Sequence, residues 1–203
     1  MISLDPSVLS ERENYKFLIG SVIPRPVALV TTVSAEGVVN AAPFSYFNIV
    51  SSNPPMISIS IQRRNGEQKD TAKNASLSGE MVVHITDEDI VEAANETAAE
   101  LDYNHSEIER AGFTLIQSTA VKVPGIREAK VRLECKIERI IPLGGTGDKP
   151  GCDLIIGRVS RYHIEEQLYE KGRIDPCGLK PVSRLAGNSY AKLGEIFDLE
   201  RPK

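Results

Sequence analysis

Extended segments with a two-residue period recur along this chain and outnumber its helical segments. The clearest is MISISI, in which Ile57, Ile59 and Ile61 alternate with Met56 and two serines. That period is typical of a strand with one buried face, and the Pro-Pro pair before it marks the start of the strand. A chain in which such segments dominate is predicted to form a mainly β fold.

Other segments have the β-branched or alternating composition of strands. They are residues 27–33, 38–39, 81–86, 113–123, 131–141 and 154–163. Between the first two, the sequence Ser-Ala-Glu-Gly indicates a turn and therefore a hairpin. The Gly- and Pro-rich residues 142–151 predict a loop between the last two strands.

Two helices are predicted between the third and fifth strands. The first has Asp70 or Thr71 as its N-cap and Gly79 as its stop. The second is capped by Thr86 or Asp87, and its narrow apolar stripe is formed by Ile90, Ala94, Ala98 and Leu101. Because the helices cluster and do not alternate with strands, the order predicts an antiparallel β-barrel with α insertions, not a βαβ repeat. The chain shows no internal repeat and no long linker, so residues 1–203 are predicted to form a single domain.

Composition excludes several classes of protein. The formal net charge of -4, with both signs dispersed, argues against a nucleic-acid partner. No apolar run is long enough to span a bilayer, and the N-terminus lacks a signal peptide. Cys135, Cys152 and Cys177 are widely spaced and odd in number, which favours reduced thiols. We therefore expect a cytoplasmic protein with no membrane partner.

Few side chains are candidates for catalysis. The histidines are His84, His105 and His163, and none accompanies a nucleophile in a G-x-S-x-G elbow. The chain also lacks an H-E-x-x-H motif, paired cysteines and an Asp-rich calcium loop. The sequence thus predicts neither a catalytic side chain nor a metal site.

The segment NAAPFSYFNIVSSN (residues 40–53) combines two kinds of residue that are seldom interleaved. Phe44, Tyr46 and Phe47 are more apolar than a solvent loop requires, and the amide and hydroxyl residues are too numerous for a core strand. The polar members are Asn40, Ser45, Asn48, Ser51, Ser52 and Asn53. Such a mixture suits a backbone that wraps a flat ligand with a polar edge.

An anion site is predicted where the first helix begins. Lys69, Asp70 and Thr71 stand at that helix N-terminus, where free N–H groups and the helix dipole favour a phosphate. An ordinary capped helix is the alternative. The sequence Gly-Gly-Thr-Gly at residues 144–147 lacks the Lys-Ser/Thr of a P-loop and predicts a mobile turn. Arg184 is either a ligand for phosphate or carboxylate or part of a surface ion pair.

Four segments, in this order, resemble the flavin reductase-like, FMN-binding split-barrel family, and within it the flavoredoxin-type members. They are IPRPVALVTT, NAAPFSYFNIVSSNPPMISISI, KDTAKN and PVSRLAGNSYAKLGEIFDLERP. The match runs from about Ile19 to Pro202. The resemblance implies a Greek-key split barrel with its core at about residues 19–165 and a C-terminal segment for cofactor and dimer contacts at about 166–203. It also implies a homodimer with FMN, or alternatively FAD, near the subunit boundary.

The resemblance further implies which residues approach the flavin. Along the ring they are Asn40, Ala41, Ala42, Pro43, Ser45, Phe47, Ser51, Ser52 and Asn53. Near the ribityl-phosphate they are Lys69, Asp70, Thr71 and Asn74, which match the family's K-D-T-x-x-N stretch. From the C-terminal R-L-x-G-x-x-Y element they are Arg184, Asn188 and Tyr190. Ala186 departs from the family pattern, in which many relatives carry Gly, and this puts in question how closely the loop approaches the ring.

Three functions are compatible with these features. The first is an NAD(P)H-dependent flavin reductase that passes electrons to free flavin or to a partner oxygenase. The second is a flavoredoxin-type electron carrier that is reduced by another protein, and the third is a non-enzymatic flavin-binding module. We favour the first, since a flavin cofactor would carry the hydride chemistry for which the chain has no catalytic side chain.

Overall fold

A computed structural model describes residues 1–99 and 106–202 of the chain, so Leu101 and His105 lie outside the described residues. The helices are α1 (Glu11–Ser21), α2 (Asp70–Ser78), α3 (Val91–Glu96), α4 (Glu107–Ala111) and α5 (Pro176–Leu179), with 3₁₀ turns at Pro6–Val8 and Glu166–Leu168. The first strands are β1 (Arg25–Pro26), β2 (Ala28–Val33), β3 (Val39–Phe44), β4 (Phe47–Ser52), β5 (Pro55–Gln62) and β6 (Glu80–Ile85). They are followed by β7 (Leu115–Ile116), β8 (Gly125–Ile126), β9 (Val131–Leu143), β10 (Cys152–Ile164), β11 (Tyr169–Glu170), β12 (Arg173–Ile174), β13 (Val182–Arg184) and β14 (Tyr190–Lys192).

The main sheet has seven antiparallel strands in the order β3-β2-β6-β9-β10-β5-β4. Its two edge strands, β3 and β4, are consecutive in the chain and are joined only by Ser45 and Tyr46. The Ser60 N–H donates a hydrogen bond to the Tyr46 carbonyl at 2.8 Å, which continues the β4–β5 ladder into this connection, and β3 contacts β5 across the curled sheet. The sheet therefore curls until its edges meet, and the prediction of a mainly β fold with helical insertions is confirmed.

The inner face of the curled sheet holds the larger apolar cluster. Ile57, Ile59 and Ile61 are buried there as their alternation predicts, and Ser58 and Ser60 lie on the other face. Helix α2 closes one side of this cluster by packing Ala72 and Ala75 onto it. The other buried members include Val30, Phe44, Phe47, Met81, Val83, Leu133 and Ile155.

A second cluster lies on the outer face of β2 and β3. Leu29 and Ala41 of these strands pack against Ile90, Ala94 and Ile108 from the helical insertion. Because consecutive residues of a strand point to opposite faces, β2 contributes to both clusters. The insertion therefore covers the outer face of β3, the strand with which the segment 40–53 begins.

The predicted strand at residues 113–123 is wrong. Only Leu115–Ile116 pair, with Gly125–Ile126, in a separate two-stranded sheet. Beyond them, the backbone N–H of Thr119 donates to the Glu134 carboxylate at 2.8 Å, and the N–H of Ala120 donates to the same group. Carboxylate acceptors thus replace the strand ladder that the apolar composition suggested.

Both predicted helix starts are also wrong. Lys69 is the N-cap residue of α2 and makes no side-chain cap, because its ammonium has no acceptor atom. The Thr71 hydroxyl donates to Asn40 Oδ1 at 2.8 Å. Helix α3 begins only at Val91, after a turn in which Asp87 Oδ1 accepts the N–H of Asp89 at 2.9 Å. The predicted stop at Gly79 is confirmed, with a left-handed φ of 71°.

The C-terminal segment contains strands that no periodicity indicated. β13 pairs with both β1 and β14, so the segment folds back beside the entry to β2. These strands span two or three residues each, which is too short to show a two-residue period. Within the described ranges, no helix is long and apolar enough to cross a membrane.

Candidate functional site

A cavity of about 350 Å³ lies where β3 crosses to β4, and it is enclosed by α1, the start of α2 and the β13–β14 hairpin. We call it the central cavity. Its lining includes Tyr15, Arg25, Pro43, Phe44, Ser45, Tyr46, Ser60, Gln62, Lys69, Asn95, Arg184, Leu185, Gly187 and Tyr190. Segments far apart in the sequence therefore meet at the crossing that joins the two edges of the sheet.

Three further cavities share lining residues with the central one, and two of them follow residues 40–48. A cavity of about 500 Å³, here the helix cavity, shares Pro43, Phe44 and Lys69 with it and continues past the N-terminus of α2. A cavity of about 420 Å³, here the α1 cavity, shares Arg25 and Tyr46 and continues beneath α1. Together they form a groove along residues 40–48, and each volume is within the range of small-molecule sites.

The central cavity is electropositive. Its described lining contains Arg25, Lys69 and Arg184 but no carboxylate, although the whole chain has a net charge of -4. Positive charge in a recess with low-dielectric walls attracts and orients an anionic ligand. The cavity is therefore suited to a ligand that carries negative charge.

Arg25 is buried and held by backbone carbonyls. Its Nη1 donates to the carbonyl of Ile19 at 2.9 Å and to that of Val22, at the end of α1, and its Nη2 donates to the carbonyl of Leu185 at 2.8 Å. Its Nε is buried and has no hydrogen-bond partner among the described residues. Carbonyl dipoles orient this guanidinium, but no carboxylate neutralises it.

Arg184 is oriented by its own hairpin. Its guanidinium lies 4.5 Å from the centroid of the Tyr190 ring, and its Nη2 donates to the Gly187 carbonyl at 2.6 Å. Gly187 has a φ of 58°, a conformation that favours glycine, and this turn directs the carbonyl back toward Arg184. Asn188, next in the turn, is exposed and lines a cavity beside α3 that shares Arg184 and Tyr190 with the central cavity. The lining of that cavity also includes Glu88, Glu92 and Glu96.

The start of α2 is an uncapped helix N-terminus beside a lysine. Lys69 lines both the central and the helix cavity, and Asp70 and Thr71 line the helix cavity. Because no side chain caps α2, its first-turn N–H groups lack that partner. An oxyanion is the ligand that such a helix end favours.

Behind the helix cavity, a buried polar network holds α2 against β3. Asn40 Nδ2 donates to the Glu107 carboxylate at 3.0 Å, and Asn40 Oδ1 accepts from the Thr71 hydroxyl. The Ala41 N–H also donates to Glu107, and burial raises the pKa of that carboxyl. Asn74 is buried in the same region and donates to the Thr32 hydroxyl at 3.3 Å. These side chains fix the place of α2 relative to the groove.

The structure brings together most of the residues that the sequence proposes as a flavin site. Pro43, Ser45, Lys69, Arg184 and Tyr190 line the central cavity; Asn40, Ala42, Asp70 and Thr71 line the helix cavity; Phe47 lines the α1 cavity. Asn188 lies one cavity away, and Ala41 and Asn74 are buried. Ser51, Ser52 and Asn53 lie at the far end of β4 and in the turn that follows, outside these cavities.

Sequence reasoning missed Arg25 and Tyr15 as lining residues. Tyr15 lies on α1, which was not predicted, although Ser10 and Glu13 form a capping box that announces this helix in the sequence. Arg25 stands between two prolines before a buried strand, and nothing local indicates that its guanidinium turns inward.

His84 and His163 lie away from the groove. His84 is fully buried: its Nδ1–H donates to the Leu29 carbonyl at 2.8 Å, and its Nε2 accepts the Ile126 N–H at 2.8 Å. Burial lowers the pKa of His84 to about 4. His163 is bonded to Glu134. In the part of the chain that the structure describes, no cluster of three His, Cys, Asp or Glu side chains could hold a metal ion.

Comparison with known proteins identifies relatives over nearly the whole chain. Nitrilotriacetate monooxygenase component B from Bacillus cereus is 62% identical and superposes with a TM-score of 0.97 over 98% of each chain. The Bacillus subtilis protein YwrF is 56% identical over 96% of this chain and 96% of its own length. A split-barrel structure from Shewanella frigidimarina, 20% identical, shares the fold with a TM-score of 0.82 over 97% of this chain and 96% of its own.

The model of the flavin reductase-like domain family matches residues 19–178, which include β1 to β12 and the start of α2. The curled seven-stranded sheet is accordingly the split barrel of that family, as the sequence predicts. This chain belongs to the flavin reductase-like domain family.

Proposed function

We propose that the protein is an FMN-binding oxidoreductase that transfers hydride from NAD(P)H to its bound flavin and then to free flavin or a partner protein. The observation that carries this proposal is the central cavity, which has three cationic residues and no carboxylate in its described lining and lies along the segment 40–48. Membership of the flavin reductase-like family supports the same function.

The residues present fit a phosphorylated flavin. Lys69 and the uncapped first turn of α2 would hold the phosphate, because a cation and a helix N-terminus without a side-chain cap both favour an oxyanion. Glu67, Asp70 and Glu107 line the same helix cavity and would oppose the anion in part. Pro43 and Ser45 would border the ring, and Arg25 would supply positive charge in the cavity. Asn40, Thr71 and Asn74 would act indirectly, since their side chains are bonded within the protein.

When bound, the flavin supplies the hydride-accepting chemistry, and the chain's own residues supply binding, orientation and electrostatics. Arg25 and Arg184, held by backbone carbonyls, keep fixed positive charge beside the cavity. Fixed charge stabilises developing negative charge without reorganisation during the reaction. Tyr46 and Tyr190 contribute aromatic surface to the lining of the cavity.

A partner oxygenase is a further part of the proposal. The Bacillus cereus relative is called a monooxygenase component, which supports an oxygenase as the consumer of the reduced flavin. Within this proposal the protein is a single domain over residues 1–203, a homodimer and cytoplasmic. FMN is proposed as the cofactor and FAD as the alternative, since the proposed contacts reach only the phosphate that both flavins contain.

The test is the visible spectrum of the purified protein after addition of FMN and desalting, followed anaerobically with NADH and then NADPH. We expect retained flavin that bleaches with one of the two nucleotides. Retained flavin that bleaches only with dithionite would indicate an electron carrier. Protein that retains no FMN and shows no saturable flavin binding would refute the proposed site. A parallel experiment with FAD decides between the two flavins.

A further inference from the structure

One wall of the helix cavity is a short loop that ends at Lys69. Arg64, Asn65, Glu67 and Gln68 all line that cavity, and the loop joins β5 to α2. Arg64 and Glu67 exchange backbone hydrogen bonds at 3.1 and 2.9 Å around a tight turn. The position of Lys69 and of the first turn of α2 therefore depends on how this loop is anchored.

The anchor is a buried carboxylate on β10. Asp153 is fully buried and accepts two hydrogen bonds from Arg63, from Nε at 2.9 Å and from Nη2 at 2.6 Å. The same carboxylate accepts a bond from Gln68 Nε2 at 3.1 Å. Arg63 also donates its backbone N–H to the Gly151 carbonyl at 2.8 Å and its Nη1 to the Gly66 carbonyl. Asp153 thus binds the loop at both ends.

Neither Arg63 nor Asp153 lines the three cavities of the groove. A buried ion pair is an inefficient way to stabilise a fold, because the desolvation of both charges offsets their attraction. A bidentate arginine–carboxylate pair does, however, define geometry closely. The pair is therefore better suited to placing the loop than to adding stability.

We propose that Arg63 and Asp153 are positioning residues that hold Lys69 and the α2 N-terminus in register for the phosphate of the ligand. This inference rests on the proposed function, because it assigns the phosphate to that end of the groove. It adds two residues that lie outside the four segments of the family resemblance, and it predicts an effect confined to ligands that bear a phosphate.

The direction of the effect separates positioning from simple electrostatics. Asp153→Asn removes a negative charge near the proposed phosphate, so a through-space effect alone would tighten FMN binding. Loss of the anchor would instead displace Lys69 and weaken FMN binding. Riboflavin has the same ring and no phosphate, and its affinity should not change.

The experiment measures the dissociation constants of FMN and riboflavin, by quenching of flavin fluorescence, for the full-length wild type, Asp153→Asn and Arg63→Lys. Arg63→Lys keeps the charge but loses the bidentate geometry. The control is Arg158→Gln, which breaks an exposed ion pair with Glu138 on the same sheet. We expect the FMN dissociation constant to rise about tenfold in both test variants, with riboflavin binding and the control unchanged.

Unchanged or tighter FMN binding in a folded test variant would overturn the inference, as would equal losses for FMN and riboflavin. If Asp153→Asn does not fold, Arg63→Lys decides the question, because it retains the ion pair. If the wild type binds riboflavin and FMN equally well, the phosphate is not held by Lys69 and the α2 N-terminus, and this inference fails. The proposed flavin site would still stand. A wild type that binds neither would overturn the proposed function itself.

Discussion

At the level of single residues, the cations of the central cavity are held by backbone carbonyls. Arg25 bonds the carbonyls of Ile19, Val22 and Leu185, and Arg184 bonds that of Gly187. A carbonyl orients a guanidinium without cancelling its charge, whereas a carboxylate would do both. Both arginines therefore keep charge that a ligand can use.

Replacing Arg184 with alanine should weaken FMN binding. A charge-assisted hydrogen bond contributes roughly 1.5–3 kcal/mol, so the dissociation constant should rise by about one to two powers of ten. Flavin fluorescence titration measures this change. Arg161→Ala, an exposed site on β10, serves as the control and should leave the affinity unchanged. Equal affinities for wild type and Arg184→Ala would remove Arg184 from the site.

His84 should make stability depend on pH below neutrality. Its pKa is about 4 in the folded protein, below the 6.5 of an unperturbed histidine, because burial disfavours the charged ring. Between these values the unfolded chain binds a proton that the folded chain does not. The free energy of unfolding therefore decreases as pH falls, and the loss due to His84 reaches about 3 kcal/mol near pH 4.

Urea unfolding at several values between pH 7 and pH 4.5 tests this prediction. His84→Gln should be less stable than the wild type at pH 7 but should lose less stability on acidification. Carboxyl groups such as Glu107 titrate in both proteins, so the difference between the two pH profiles isolates His84. Parallel profiles would show that His84 does not contribute.

At the level of elements, α2 begins in a way that favours binding over stability. Lys69 has the extended dihedrals of an N-cap residue, φ -71° and ψ 154°, but its side chain makes no cap. Serine in that conformation would cap the helix well. An uncapped helix start beside a cavity is consistent with the general observation that binding sites are less stable than their fold would allow.

Lys69→Ser should therefore change stability and affinity in opposite directions. The new cap should raise the free energy of unfolding by about 1 kcal/mol, and loss of the ammonium should weaken FMN binding. Chemical denaturation and fluorescence titration measure the two effects. Lys73→Ser, on the next turn of α2, is the matched control and should leave FMN affinity unchanged. If FMN binding survives Lys69→Ser intact, the anion site lies elsewhere.

At the level of the whole molecule, an apolar surface joins α1 to the edge strand β4. Leu18, Val22, Ile49 and Val50 are each at least 47% exposed, and the α1 cavity lies between the two elements. Exposed apolar patches and unpaired edge strands are both features of association surfaces. The predicted homodimer is consistent with this surface.

Ile49→Glu should convert the predicted homodimer into a monomer, because it would bury a charge in the interface. Sedimentation velocity at micromolar concentration, with and without the substitution, gives the two masses. The control is Lys136→Glu, at an exposed position on β9 away from this patch. A wild type that sediments as a monomer would refute the homodimer.

Local sequence patterns were sufficient for most of the sheet, although they indicated only the start of β3 and gave no sign of β4. The alternation of Ile57, Ile59 and Ile61 specifies a buried face within six residues, and Gly79 ends α2 where its left-handed φ requires glycine. Period and turn chemistry are short-range properties, so they can be read from the chain directly. The segment 40–53 was predicted from its composition to wrap a ligand; most of residues 40–48 line the three cavities, Ser51, Ser52 and Asn53 do not, and ligand binding there stays a prediction.

Tertiary contacts decided the remainder. The backbone N–H groups of Thr119, Ala120 and Lys122 donate to carboxylates of β6 and β9 and not to a neighbouring strand. Helix α2 begins one residue earlier than predicted, and the Thr71 hydroxyl bonds Asn40. Arg25 entered the central cavity because it bonds the carbonyl of Leu185, 160 residues away. Such partners are brought together only when the sheet curls and its edges meet. A buried polar group then takes whichever acceptor the fold presents, and no local pattern specifies that choice.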